Sequence, residues 1–191
     1  MVVNNNIQTP NLVLAQRVVA KMMSAAQHFM EDETGEAMVG LIDPGVNTGG
    51  HPTVYVLDTI SPDESAVRHF HTFQQGDERQ DEIIWWLQEN WRAGRAQASD
   101  KRYDTPLVYL GDWHKQPGYM IAPSAGDRMT ALGWLDDDSN EMDYLLVPIV
   151  TLDHPATIAS GEGLANYITA PMPDGSYMRV DFWFIHRQLR Q

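Results

Sequence analysis

Residues 106–114, PLVYLGDWH, constrain the fold more than any other stretch. A proline opens a run rich in Val, Tyr and Leu, and a Pro117-Gly118 turn signal follows it. That combination predicts a short buried strand with His114 at its C-terminal end. Residues two apart on a strand share a face, so His114 and Gln116 address one common point if the strand continues that far. Beyond the loop, Ser124 stands before a helical pattern over 129–135, which makes it an N-cap, and Asp127 falls in the first turn. An Asp there ordinarily serves the cap and the helix dipole, and it can also ligate a metal.

The rest of the chain alternates between the two periodicities. Thr9-Pro10 is a helix start, and Ala15, Val18, Val19, Met22, Ala26 and Phe29 recur at three- and four-residue spacing, predicting a helix over 10–30. Segments 37–42 and 53–60 are strands around a Gly49-Gly50 turn, which suggests an antiparallel hairpin. Gln80, Ile83, Ile84, Leu87 and Trp91 describe a second helix over 77–93, ended by Gly94. Trp85 and Trp86 cannot both face one core. Segment 94–104, with Arg95, Lys101 and Arg102, is a basic loop and a candidate partner contact in place of a merely solvated one. Segment 144–152, YLLVPIVTL, is a strand or strand pair interrupted at Pro148, where the missing N–H favours an edge or a bulge. A loop covers 154–163, and segments 166–172 and 177–185 flank Pro173-Asp174-Gly175 as a terminal hairpin, leaving His186 at the surface. The expected class is α/β (α+β): one domain with a curved, mostly antiparallel sheet flanked by helices.

At 191 residues the chain is long enough to bury a core without disulfides, and it has no cysteine to form one. Thiolate metal sites and a cysteine nucleophile are thereby excluded, and a reducing, cytoplasmic setting is expected. No apolar run approaches the roughly 18 residues of a membrane span. A formal net charge of -13, from 26 acidic and 13 basic residues, argues against nucleic acid as a partner and leaves ordinary solubility or a basic partner.

The order His114-Lys115-Gln116, seven residues from Pro117 to Pro123, Ser124, two residues, Asp127 resembles the motif of the JAMM metalloproteases of the JAB/MPN fold, which is His-x-His, seven residues, Ser, two residues, Asp. The letters YLGDWH, the proline after the third motif position and the PS before the helix are similar to the bacterial members. Gln116 stands where the family carries its second metal-binding histidine. The family also has a glutamate in a Glu-x-x-Gly-x-x-x-Gly pattern at the start of an apolar strand. Residues 33–40, ETGEAMVG, match it at Glu33 and Gly40, with Glu36 in place of the first glycine. The resemblance therefore assigns the catalytic carboxylate to Glu33, with Glu36 as second candidate, and it extends over about 13–146 of the chain.

The resemblance implies a single JAB/MPN-like domain over 1–191, with zinc held by His114, Gln116 and Asp127. Glu33 would hold a water and shuttle its proton, and Ser124 would donate to the oxyanion. The implied activity is that of a zinc hydrolase, an isopeptidase or peptidase cutting after the C-terminus of a ubiquitin-like protein. A glutamine oxygen is a weaker zinc ligand than imidazole, so an inactive JAB/MPN-like protein-binding module is the alternative. His69-Phe70-His71 is the only His-x-His in the chain; on a strand its imidazoles would share a face, and one of them could replace the lost ligand.

Overall fold

The computed structural model describes residues 9–46, 49–76, 78–97, 105–138, 140–155 and 164–187. In chain order the elements are β1 (Asn11–Leu14), α1 (Gln16–His28), β2 (Thr34–Asp43), β3 (Thr53–Ile60), β4 (Val67–His69), β5 (Thr72–Gln74), α2 (Arg79–Gln97), β6 (Val108–Lys115), α3 (Ala125–Leu135), β7 (Tyr144–Leu152), β8 (Leu164–Pro171) and β9 (Tyr177–His186). Seven strands form one sheet in the order β1-β3-β2-β6-β7-β9-β8, and β4 and β5 form a separate small hairpin. Within the large sheet only β1–β3 and β6–β7 run parallel; the other neighbours are antiparallel. The fold is thus the expected α+β class, a curled, mostly antiparallel sheet flanked by helices.

Alternation along β7 and β9 supplies two apolar faces. On β7, Leu146 and Val150 join the cluster packed under Val18, Met22 and Ala26 of α1, while Leu145, Val147 and Ile149 join Ala131 and Leu135 of α3 on the opposite face. A third cluster seats Ile84 of α2 on Ala37, Val39 and Ile60. Each fully buried aliphatic side chain stabilises by about 1.5–3 kcal/mol, so these faces fix which side of the sheet each helix must cover.

Several sequence expectations need correction. The first helix does not begin at Pro10: residues 11–14 pair in parallel with Thr53–Val56, and α1 starts after Ala15, which makes no side-chain cap. Satisfying those backbone groups against β3 outcompetes the Thr-Pro start signal. The second helix passes through Gly94 to Gln97, because a Cβ at that exposed position would meet nothing and no chain reversal is required there. Pro148 neither ends nor splits its strand. The β7–β9 ladder runs through Pro148↔Phe182 without a register shift, inside a strand flanked on both sides. His186 is buried, with its ring 5.3 Å from that of Tyr144. Trp85 and Trp86 are both exposed. The basic segment 98–104 and residues 156–163 of the predicted loop lie outside the described residues. Among the described residues, no helix is long and apolar enough to cross a membrane.

Candidate functional site

The site is built where β2 and β6 run side by side. Their register sets Gly35 opposite His114 and Thr34 opposite Lys115, so Glu33, which immediately precedes β2, arrives beside the end of β6. Gly35 is required for that approach: a Cβ would lie 2.3 Å from the Trp113 carbonyl oxygen and 2.8 Å from Phe73 Cε1. Two contacts tether the Glu33 segment. Its own N–H donates to the His69 carbonyl at 3.0 Å, and Lys115 Nζ donates to the Met30 carbonyl at 2.8 Å. Lys115 is only 1% exposed, and burial lowers its pKa against the opposing pull of Asp32, Glu31 and Glu33.

A β-bulge in β6 decides which side chains share the site. The pairing with β2 skips a residue between Tyr109 and Gly111, and Gly111 sits at φ +123, where a Cβ would lie 2.2 Å from the Leu146 carbonyl oxygen. Leu110 and Trp113, three apart, consequently both enter the α1-side core. Tyr109, Asp112 and His114 line the cleft instead, together with Glu33 and Asp127. The cleft has a volume of 230 Å³ and is walled by Phe73 and Trp134.

Asp127 is delivered by the start of α3. Ser124 caps that helix through a capping box: Asp127 N donates to Ser124 Oγ at 3.2 Å and Ser124 N donates to Asp127 Oδ2 at 2.6 Å. Ser124 Oγ accepts that bond, and its hydroxyl in turn favours the charged form of Asp127. The same Asp127 Oδ2 lies 3.5 Å from His114 Nε2. Gln116 Nε2 lies 3.1 Å from His114 Nε2 and 3.4 Å from Asp127 Oδ2. The five residues singled out in the sequence thus converge: Glu33, His114 and Asp127 line one cleft, Gln116 hydrogen-bonds the latter two, and Ser124 anchors Asp127.

The three other candidates, Glu36, His69 and His71, do not line that cleft. Glu36 accepts hydrogen bonds from the hydroxyls of Thr59 and Ser61 and lines a different cavity, alongside Lys21 and His28 of α1. Alternation along β2 puts it on a face other than the cleft. His69 closes β4 and His71 lies in the turn before β5, so the two imidazoles do not share a strand face as expected. Both are exposed, and among the described residues no set of three His, Asp or Glu side chains forms a ligand cluster. His71 still reaches Glu33 electrostatically.

The charges in the cleft are pushed in opposite directions. Burial raises the Glu33 pKa, Asp127 adds to the rise, and His114, His71 and Lys115 oppose it. Burial also acts to raise Asp127, but hydrogen bonding and charge from His114, with the Ser124 hydroxyl and N–H, bring it below the usual carboxylate value. Asp112 and Tyr109, which sequence reasoning had not singled out, are both raised. For Asp112, burial outweighs the bonds donated by Tyr109 and Gln75; for Tyr109, burial acts first and the Asp112 charge adds to it. The available signal was a carboxylate inside an otherwise apolar strand, two residues before His114 and on its face.

The spacing of these donors bears on the zinc that the resemblance implies. The triangle of His114 Nε2, Gln116 Nε2 and Asp127 Oδ2 has sides of 3.1, 3.4 and 3.5 Å. A tetrahedral site with metal–ligand bonds of about 2.0–2.1 Å has edges of about 3.3–3.4 Å, so the three side chains match one face of it. The amide turns its NH₂ inward, and its Oε1 is buried without a partner among the described residues. A half-turn of the amide exchanges the two and offers an oxygen ligand. The residues fit the metal, with Gln116 as the weak corner.

Comparison with protein-family models gives no match, and none of the curated proteins matches. Among solved structures the chain is similar to protein DSY2949 of Desulfitobacterium hafniense, solved in solution, at 16% identity over 86% of this chain and 87% of that one, with a TM-score of 0.39.

Proposed function

We propose that the chain is a JAB/MPN-like domain of the JAMM type, a zinc-dependent hydrolase of the peptide or isopeptide bond after the C-terminus of a ubiquitin-like protein. The observation that supports this reading is convergence. A carboxylate from before β2, an imidazole and an amide from the end of β6, and a carboxylate from the cap of α3 meet in one cleft although they come from distant parts of the sequence. The cysteine-free composition suits a reducing compartment, and the proposal is for a cytoplasmic protein.

His114, Asp127 and Gln116 through its oxygen would hold the metal, which when bound polarises a carbonyl and acidifies water. Glu33 does the proton work. Burial has raised its proton affinity, so it is suited to take a proton from the attacking water and pass it to the leaving amine. Ser124, its Oγ fixed by Asp127 N, directs its O–H to the oxygen on which negative charge develops; a donor of this kind is worth roughly 3 to 4 kcal/mol in other hydrolases.

A second reading, a protein-binding module without hydrolysis, rests on Gln116, whose neutral amide oxygen is a weaker zinc ligand than the imidazole the family carries there. Elemental analysis and cleavage of a ubiquitin-like protein fused through its C-terminus separate the two. The protein as purified is expected to be metal-poor, and Gln116→His to gain both stoichiometric zinc and cleavage, with the further change Glu33→Gln abolishing cleavage but not zinc. A zinc-loaded Gln116→His protein that cuts no such fusion would leave the binding module as the better reading.

A further inference from the structure

The cleft continues past Glu33, His114 and Asp127 to residues that the hydrolytic reading leaves unused. Asp112 lines this end, and the Tyr109 hydroxyl and the Gln75 amide both donate to its carboxyl. Two oxygens remain buried without a partner among the described residues, Asp112 Oδ1 and Gln75 Oε1. Both are acceptors, and buried acceptors are ordinarily satisfied, so a group that completes this end must bring N–H donors. Its charge is specified as well. Three carboxylates, those of Glu33, Asp112 and Asp127, line the cleft, and among the described residues no Lys or Arg does. The walls suit a cation, because Tyr109 and Trp134 pack at 5.2 Å between ring centroids and Phe73 contributes a third ring. At 230 Å³ the whole cleft, with the part lined by Glu33, His114 and Asp127 included, falls below the about 300–1,000 Å³ of pockets for drug-sized ligands, so its far end admits no more than one side chain.

We propose that this end of the cleft is a recognition pocket for the basic side chain, arginine or lysine, of a peptide that the domain binds. The proposal rests on the hydrolase reading only in taking the ligand to be a peptide. Arginine suits it better than lysine, because a planar guanidinium presents five N–H donors and serves two acceptors at once. The net charge of -13 draws such a ligand from a distance.

The test is binding, read without cleavage and in the presence of EDTA, so that an inactive protein leaves the result intact. The native protein is titrated with N-acetyl-arginine amide and with N-acetyl-citrulline amide, its neutral isostere, by calorimetry, with the Trp134 indole N–H resonance as a local reporter. The arginine probe is expected to bind at least about tenfold more tightly than citrulline, and less so as salt rises. Asp112→Asn should bring the two probes within about twofold of each other, and Gln75→Glu should widen the gap. If Asp112→Asn fails to fold, the native comparison and Gln75→Glu decide the matter. Equal binding of the two probes, no saturable binding of either, or an undiminished arginine preference in Asp112→Asn would overturn the proposal.

Discussion

Asp112 and Asp127 share a cleft yet are shifted in opposite directions, and the difference lies in their partners. Asp127 has the Ser124 N–H and His114 to favour its charged form, whereas burial dominates Asp112. For a carboxyl with a raised folded pKa, the unfolded chain loses its proton first, so stability falls as pH rises from the usual carboxylate value through the raised one. Asp112→Asn should remove that loss, raising the unfolding midpoint at pH 7 and flattening its pH dependence above about pH 4. Asp127 has the reverse sign. Its contribution is present above the unfolded pKa and is lost as pH falls through the depressed folded value. Asp127→Asn should therefore lower stability at neutral pH and shrink the loss on acidification. Denaturant unfolding over a pH series measures both, and slopes that do not move in opposite directions would refute the assignment. Of these residues, His114, Ser124 and Asp127 were placed in the sequence by a strand end and an N-cap, and joined as a candidate site by the resemblance to the JAMM motif. Asp112 was not singled out although it lies two residues before His114 and so on its face, and Tyr109 was hidden by the bulge at Gly111.

At the scale of elements, α3 shows how a helix start can deliver a side chain to a site. Ser124→Ala removes the acceptor for Asp127 N and should cost about 1 kcal/mol, within the 0.5–2 kcal/mol range for N-cap losses. It should also loosen Asp127, so that in the Gln116→His background zinc affinity falls together with stability; a drop in stability with unchanged zinc affinity would mean that the cap does not hold the ligand. On α2, Trp85 and Trp86 are 63% and 58% exposed, although the helix packs through Ile84. Replacing both with lysine should change stability by no more than about 0.5 kcal/mol per site in thermal unfolding. The sequence located α2, α3, β3 and the terminal hairpin well, because periodicity and caps are local signals. It misplaced the start of α1 and the break at Pro148, where pairing across the sheet overrides local preference.

Across the whole molecule, β9 carries a fully buried ion pair, Arg179 Nε to Asp181 Oδ2 at 2.7 Å with Arg179 Nη2 to Asp181 Oδ1 at 2.8 Å. Asp181→Ala would leave the guanidinium buried without its carboxylate, and a loss of about 3–5 kcal/mol is expected in denaturant unfolding. A loss below about 1 kcal/mol would show that the sheet readily relaxes around the unpaired arginine. The sequence by itself determined the class of fold, most of the strands and helices, and the short-range half of the site, His114 to Asp127, since those residues are fixed by a strand end, a turn and a cap. Only the tertiary structure put Glu33 in the cleft and Glu36 outside it, because that placement depends on the β2–β6 register and on which face of β2 looks into the cleft. It also decided that His69 and His71 do not line the cleft and that Tyr109, three residues before Asp112, does. Those outcomes follow from a hairpin turn and from one extra residue in β6, and neither leaves a mark in the spacing of the residues concerned.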